Sequence, residues 1–301
     1  MILAVPNVAE GRDFGRLGNL VSLLDAAPVE LLDWSSDIDH NRAVFTLAGD
    51  GPGTADAILS MAGFLAGGSG MAEWSGVHPT VGMLDVAPFV WTDPESEGEA
   101  RSAALGAAGR LGDFGIPTFL YGALASTPER SERAWFRRGG FATLAERMAS
   151  GEVRPDFGPC QPHPVMGVTL VTAREPLVAF NVELEGGGPG AAPRIAAQLR
   201  ESGGGPEGLR AIGLELSTGR SQVSTNVGRP GEGSLGQVVD EVARLARAEG
   251  AKAVEAELIG LAPEAALVGY PDRVPIRDFD PEHQLIERRL ARLEQTGGGH
   301  S

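Results

Sequence analysis

The chain has 301 residues, among them 43 glycines, 21 prolines and one cysteine, and carries a net charge of −15. That charge, with no extended basic stripe, excludes a general nucleic-acid binder, so an anionic ligand has to be held by a few local arginines. The lone Cys160 excludes an intramolecular disulfide framework.

Met1 to Pro6 is too short and lacks the basic start of a signal peptide. No apolar run approaches the roughly 20 residues needed to span a bilayer. The expectation is a soluble, cytoplasmic protein.

Ile2 to Val8 reads as a first strand, followed by a helix over 13–25 with Phe14, Leu17, Leu20, Val21 and Leu24 at helical spacing. Glu30 to Trp34 is a second strand, running into the acidic turn Ser35 to His40, and Arg42 to Ala48 is a third. Asp50-Gly51-Pro52-Gly53 introduces a helix over Thr54 to Leu65. It lacks the lysine and second glycine pattern of a phosphate loop and reads as a cap. A glycine loop (Gly67, Gly68, Gly70) leads to His78, and Leu84 to Val90 is a fourth strand.

A helix over 96–114 and a strand over Thr118 to Tyr121 extend this sheet. Arg130 to Ser150 is helical in two pieces broken at Gly139-Gly140, and Val168 to Thr172 resumes as strand. The second half places strand at Leu177 to Leu184, helix at Pro193 to Glu201 and a hairpin of Ala211 to Ser217 with Gln222 to Val227 across Thr218-Gly219. Helix at Leu235 to Ala248 and strand at Ala253 to Ile259 complete it. Each half is thus β-α-β-β-α-β. The fold class is α/β (α+β), two ferredoxin-like subdomains side by side with a substrate tunnel between them. A last helix covers Pro281 to Leu293, and Gly297 to Ser301 reads as a disordered tail.

Three groups of residues carry candidate chemistry. His78, between a glycine-bearing loop and Pro79, is either a histidine that merely bonds a turn or a general acid–base, the side chain whose free pKa lies nearest neutrality. Asp37, Asp39, His40, Asn41 and Arg42 crowd one strand-to-strand turn. They are either solvated turn formers or a rim where an aspartate holds a cation and Arg42 grips a carboxylate. Pro155-Asp156-Phe157-Gly158-Pro159-Cys160-Gln161-Pro162-His163-Pro164 has too many prolines for helix or central strand. It is either a plain crossover or a rigid wall for a flat heterocycle. His40, His78 and His163 together form a conceivable metal site, but none has a close ligand partner in sequence, so no metal is expected.

Several stretches, in order, resemble the glutamate formiminotransferases. They are Val5-Pro6-Asn7-Val8-Ala9-Glu10-Gly11-Arg12, His40 to Gly49, His78-Pro79 to Pro88-Phe89, Phe119 to Gly122, Pro155 to Pro159, Leu177 to Val182, Gln222 to Asn226 and Phe279 to Glu282. The resemblance implies two subdomains, 1–173 and 174–296, and a homodimer. It also implies transfer of a formimino group from N-formimino-L-glutamate to N5 of tetrahydrofolate, the co-substrate, without nucleic acid, membrane or metal. It puts the catalytic histidine on His78, the folate-contacting stretch on Pro155 to Pro164, and no cyclodeaminase domain in this chain. From the chemistry, Asp37 or Asp39 is the candidate to orient the amidine, with Asn41 beside it, and Arg42 to hold glutamate carboxylate.

The family's glutamate before the histidine is Val77 here, and Thr80 stands where it has an arginine. The family's glycine-glutamate near the middle of the chain is Gly139-Gly140. These departures motivate two alternatives: a formyl donor or 5-formyltetrahydrofolate as reactant, and a non-catalytic folate-binding homologue.

Overall fold

The computed structural model describes residues 1–216 and 219–297, apart from the side chains of 293–297. The chain divides into two compact units, Met1–Arg174 and Glu175–Ser301.

The first unit opens on β1 (Ile2–Ala4) and β2 (Asn7–Val8). The single strand expected here is cut at Val5-Pro6, where proline offers no N–H to the ladder. Helix α1 (Phe14–Asp25) starts on Asp13, whose carboxylate accepts the Arg16 N–H at 2.9 Å, a cap worth about 1 kcal/mol. Leu17, Leu20 and Leu24 are buried beneath it, but Phe14 is 57% exposed. The hairpin β3 (Glu30–Asp37) and β4 (Arg42–Gly49) is longer than expected, its strand reaching Asp37. Helix α2 (Gly51–Ala66) is capped by Asp50, which accepts the Gly53 N–H at 2.7 Å.

Strand β5 (Leu84–Val90), helix α3 (Glu97–Asp113), strand β6 (Thr118–Leu120), helices α4 (Arg133–Arg137) and α5 (Gly140–Ala149), and strand β7 (Thr169–Arg174) follow. β3 pairs with β4, β4 with the broken β1 and β2, and these with β5, all antiparallel. β7 then joins β5, and β6 joins β7, in parallel. Parallel pairing requires crossovers, and α3 and the α4–α5 pair provide them. The larger core gathers Leu17, Phe45, Ile58, Met61, Phe89 and Leu111, and a second gathers Phe119, Phe136, Leu144, Met148 and Leu170.

The second unit comprises β8 (Leu177–Gly186), α6 (Ala191–Leu199), β9 (Leu209–Glu215), β10 (Ser221–Gly228), α7 (Ser234–Ala248) and β11 (Ala251–Ile259). Its antiparallel order is β11-β8-β10-β9, over a core with Phe180, Val182, Ile195, Val223, Val239 and Val242. In both units the first strand lies between the third and the fourth, and the second is an edge beside the third. Helix α6 begins two residues before Pro193. The expected last helix is two, α8 (Pro281–Gln284) and α9 (Ile286–Gly297), because buried Leu285 turns extended and bridges to Ala262. Ser217 and Thr218 of the hairpin turn, and 298–301 of the tail, lie outside the described residues. Among the described residues no helix is long and apolar enough to cross a membrane.

Candidate active site

Because β4 and β5 both run antiparallel to β2, with Val8 paired to Ala43 and Leu84, their first residues meet at one end of the sheet. The β3–β4 turn and the loop before β5 therefore converge there. Asn41 joins them from a left-handed backbone conformation (φ 48°), which its short amide tolerates. Its Oδ1 accepts the Gly11 N–H at 2.9 Å and its Nδ2 donates to the Ser75 carbonyl at 2.8 Å. The Trp74 indole donates to the Asn41 carbonyl at 3.3 Å, and the Val77 N–H to the Asp39 carbonyl at 3.2 Å. Two glycines permit the fit. A Cβ on Gly11 would stand 2.3 Å from the Asp37 carbonyl oxygen, and one on Gly76 would stand 2.5 Å from that of His40. The Asn7-to-Arg12 motif thus serves to hold the turn, with Arg12 Nε donating to the Ile38 carbonyl at 2.9 Å.

His78 projects from this frame. Its Nδ1 lies 2.8 Å from the Pro79 carbonyl oxygen. A carbonyl only accepts, so Nδ1 carries the hydrogen and Nε2 is the basic nitrogen. The ring is half-buried at its surface, and its pKa lies well below the ordinary histidine value. Burial is the main cause, reinforced by the Arg42 and Arg137 guanidiniums. The imidazole is therefore neutral at pH 7. The His40 ring is centred 6.0 Å away. The His40 backbone N–H donates to Asp37 Oδ1 at 2.7 Å, the ring Nδ1 is 3.8 Å from Asp37 Oδ2, and the buried ring Nε2 has no hydrogen-bond partner.

Beneath lies Asp85, 0% exposed. Its Oδ1 accepts the Val81 N–H at 2.9 Å. Its Oδ2 accepts from Arg42 Nη1 at 2.7 Å and from Arg137 Nη2. Burial opposes ionisation of Asp85, but the two arginines overcome it and hold the carboxyl well below the usual range. Arg42 also donates through Nη2 to Asn7 Oδ1 at 3.0 Å. Two guanidiniums against one carboxylate leave this buried group with one net positive charge, in a chain whose net charge is −15.

The structure brings Asp37, His40, Asn41, Arg42 and His78 together at this end of the sheet. Arg42 is not a free arginine waiting for a ligand, since both terminal nitrogens are engaged. Asn41 likewise gives both ends of its amide to backbone.

The stretch Pro155 to Pro164 divides in two. Asp156 and Phe157 dock on β6: both N–H groups donate to the Thr118 carbonyl, and the Asp156 carboxylate accepts from Leu120 N at 2.8 Å and Arg130 Nη2 at 2.6 Å. Phe157 packs against α3 at Gly112. Pro159, Cys160 and Gln161 are exposed. His163 closes a turn, its Nδ1 accepting the Val165 and Met166 N–H groups at 3.2 and 3.0 Å. That bonding gives His163 Nδ1 a backbone role. Among the described residues no group of three His, Cys, Asp or Glu is placed to hold a metal ion.

Sequence reasoning missed Asp85 and Arg137. Asp85 had a signal, a lone acid in the apolar run of β5. Arg137 had none, since it reaches the site from the five-residue helix α4.

Residues 1–174 match the family model described as the formiminotransferase domain, N-terminal subdomain, and residues 179–272 match the formiminotransferase domain. The chain belongs to the formiminotransferase family. It is 36% identical to the glutamate formimidoyltransferase of Streptococcus pyogenes over 96% of this chain and 98% of that one. It is 30% identical to the glutamate formimidoyltransferase of Thermoplasma acidophilum, over 96% and 97%. The formimidoyltransferase-cyclodeaminase of Mus musculus is 31% identical over 96% of this chain but only 56% of its own length. The family is one of transferases, and the chain resembles the bifunctional enzyme over about half of it.

Proposed function

We propose that the protein transfers a formimino group from N-formimino-L-glutamate to N5 of tetrahydrofolate, releasing L-glutamate. The observation that carries this reading is an imidazole with one basic nitrogen, His78 Nε2, packed against the turn that carries His40 and Arg42, with Arg42 in turn bound to buried Asp85. As N5 bonds to the amidine carbon, its proton passes to Nε2. The resulting imidazolium, disfavoured by burial and by the Arg42 and Arg137 charges, is a stronger acid than an ordinary imidazolium. It gives the proton to the glutamate nitrogen as the carbon–nitrogen bond to glutamate breaks. One bond forms, one breaks, and the proton lost by N5 is the one gained by glutamate.

The amidine is cationic when protonated, and the acids of the turn, Asp39 and Asp37, whose Oδ1 also accepts the His40 N–H, are the ones offered to it. Asn41 sets the position of that turn, and Arg42 carries positive charge toward the donor's carboxylates. Pro155 to Pro164 is the stretch we assign to the folate, its first half rigid on β6. The same reading, supported by the family, carries with it a cytoplasmic homodimer, which light scattering of the purified protein tests for assembly.

Incubation with both substrates, then acid, should produce the absorbance of 5,10-methenyltetrahydrofolate. His78→Ala should lower the rate by about 10²-fold or more. No absorbance above a blank at millimolar donor overturns the reading. One observation favours a second donor: neither Val77, 53% exposed, nor Thr80, bonded to the Gly82 carbonyl, brings charge to His78. N-formyl-L-glutamate, a neutral amide at the transferred group, is therefore the competing substrate, and its turnover at a higher kcat/KM would replace the formimino donor with it.

A further inference from the structure

Asp85 is saturated. One oxygen is held by the Val81 N–H and the other is shared by two guanidiniums, so it cannot neutralise both. The side chains of Arg42 and Arg137 are only 7% and 10% exposed, and buried charge left uncompensated is costly. Arg137 also keeps a buried Nε with no hydrogen-bond partner. Asp85 is the carboxylate bonded to both guanidiniums; Asp37 is turned to His40, Asp39 lies two residues further along that turn, Tyr121 faces Arg137 as a phenol, and His78 and His40 contribute no negative charge. The group is one carboxylate short.

We propose that the Arg42–Asp85–Arg137 group is a carboxylate-binding site completed by the α-carboxylate of the donor, with Arg137 as the residue that recognises it. This rests on the transfer reading above, and it names the arginine that the sequence could not.

The donor's own chemistry selects the α-carboxylate. It hangs on the carbon that bears the departing nitrogen, so it must lie close to whichever group protonates that nitrogen. The carboxylates of the folate tail are separated from N5 by the aminobenzoyl spacer, and the donor's γ-carboxylate is separated by two methylenes from the carbon that bears the departing nitrogen. Arg42 follows His40, whose ring is centred 6.0 Å from that of His78, Asp85 ties Arg137 to Arg42, and both guanidiniums disfavour the protonated imidazole. The planar fork of Arg137, with Nη2 already on Asp85, leaves other N–H groups for an incoming oxygen. A carboxylate seated there also offsets the field that weakens His78 as a base, so the donor would raise the basicity of the histidine that acts on it.

Calorimetry on the full chain tests this without turnover, using L-glutamate, L-glutamine, which keeps the α-carboxylate, and L-isoglutamine, which keeps only the γ-carboxylate. Wild type should bind glutamate and glutamine at least tenfold more tightly than isoglutamine. Arg137→Met should erase that discrimination and Arg137→Lys restore part of it. Tetrahydrofolate and tetrahydropteroate, which lacks the glutamyl tail, should bind Arg137→Met as they bind wild type.

The proposal falls if wild type does not distinguish glutamine from isoglutamine. It falls equally if folded Arg137→Met binds glutamate within twofold of wild type, or if Arg137→Met loses tetrahydrofolate affinity but not glutamate affinity, which would assign the site to the folate tail. Should Arg137→Met not fold, the wild-type amide comparison still decides. Selective α-carboxylate binding without transferase activity would sink the transfer reading alone. Transfer with unaltered donor discrimination in Arg137→Met would sink this site alone.

Discussion

Each unit of the chain flanks one carboxylate on its sheet with two arginines, and the two arrangements differ in charge and in water. In the first unit Arg42 and Arg137 enclose Asp85, and all three side chains are at most 10% exposed. In the second, Arg220 and Arg277 meet Glu183, but they are 41% and 37% exposed, and Glu185, Glu255 and Glu257 lie within 4.0 Å of the same arginines. Two cations against four acids leave that network net negative, and although Glu183 is itself buried its arginines are open to solvent. The lesson is that motif alone does not make a site. What distinguishes the first pair of arginines is that it is buried and under-neutralised, and the second is neither.

The sharpest way to break this contrast is Asp85→Asn. Leaving two buried guanidiniums without their anion should cost about 3–5 kcal/mol of folding stability, read by denaturant titration. The pH dependence has a definite sign. The folded pKa of Asp85 is depressed, so its stabilisation is complete above the unfolded carboxylate pKa of about 3.9 and is lost as pH falls through the lower folded value. Wild type should show this acid limb and Asp85→Asn should lack it.

Next in size is the effect of Arg137→Met on His78. Burial and the two arginines lower the folded pKa of His78, so removing Arg137 should raise it toward the ordinary value of about 6.5. The acid limb of kcat/KM should then move to higher pH, and histidine proton NMR should report the same shift in the absence of substrate. An unmoved titration would separate the arginine from the histidine.

Glu183→Gln should cost only about 1 kcal/mol, since its arginine partners are partly exposed and screened. That loss should shrink in high salt, whereas the Asp85→Asn loss should not. A Glu183→Gln cost equal to that of Asp85→Asn would erase the distinction. The smallest change is expected from His40→Gln, which removes one neighbour that disfavours protonated His78 and should raise its pKa less than Arg137→Met does.

Much of this was legible in the sequence because the physics was local. The strand over Leu84 to Val90, the cap at Asp50 and the twofold β-α-β-β-α-β order follow from periodicity and turn chemistry. The strand expected over Ile2 to Val8 split at Pro6, and the last helix split at Leu285, where a long-range bridge to Ala262 overrode helical spacing. The crowded turn at Asp37 to Arg42 was visible as a polar cluster, but its use as a frame was not, since that depends on Gly11 and Ser75 arriving from elsewhere. Arg137 was illegible for the same reason. It lies 52 residues from Asp85, and nothing in its own neighbourhood predicts that they meet.

One contact described above also constrains stereochemistry. Because the carbonyl of Pro79 occupies Nδ1 of His78, the imidazole has a single working nitrogen and one working edge. A proton accepted there has to be given back there. In the proposed transfer, the attacking nitrogen of the folate and the departing nitrogen of glutamate must then visit the same edge of the ring in turn. The tetrahedral carbon between them must therefore present both nitrogens to one side of the site, or pivot by a small angle about its remaining bonds. A histidine with two free nitrogens could serve opposite faces of its substrate. In the proposed transfer, this one would enforce a one-sided reaction path.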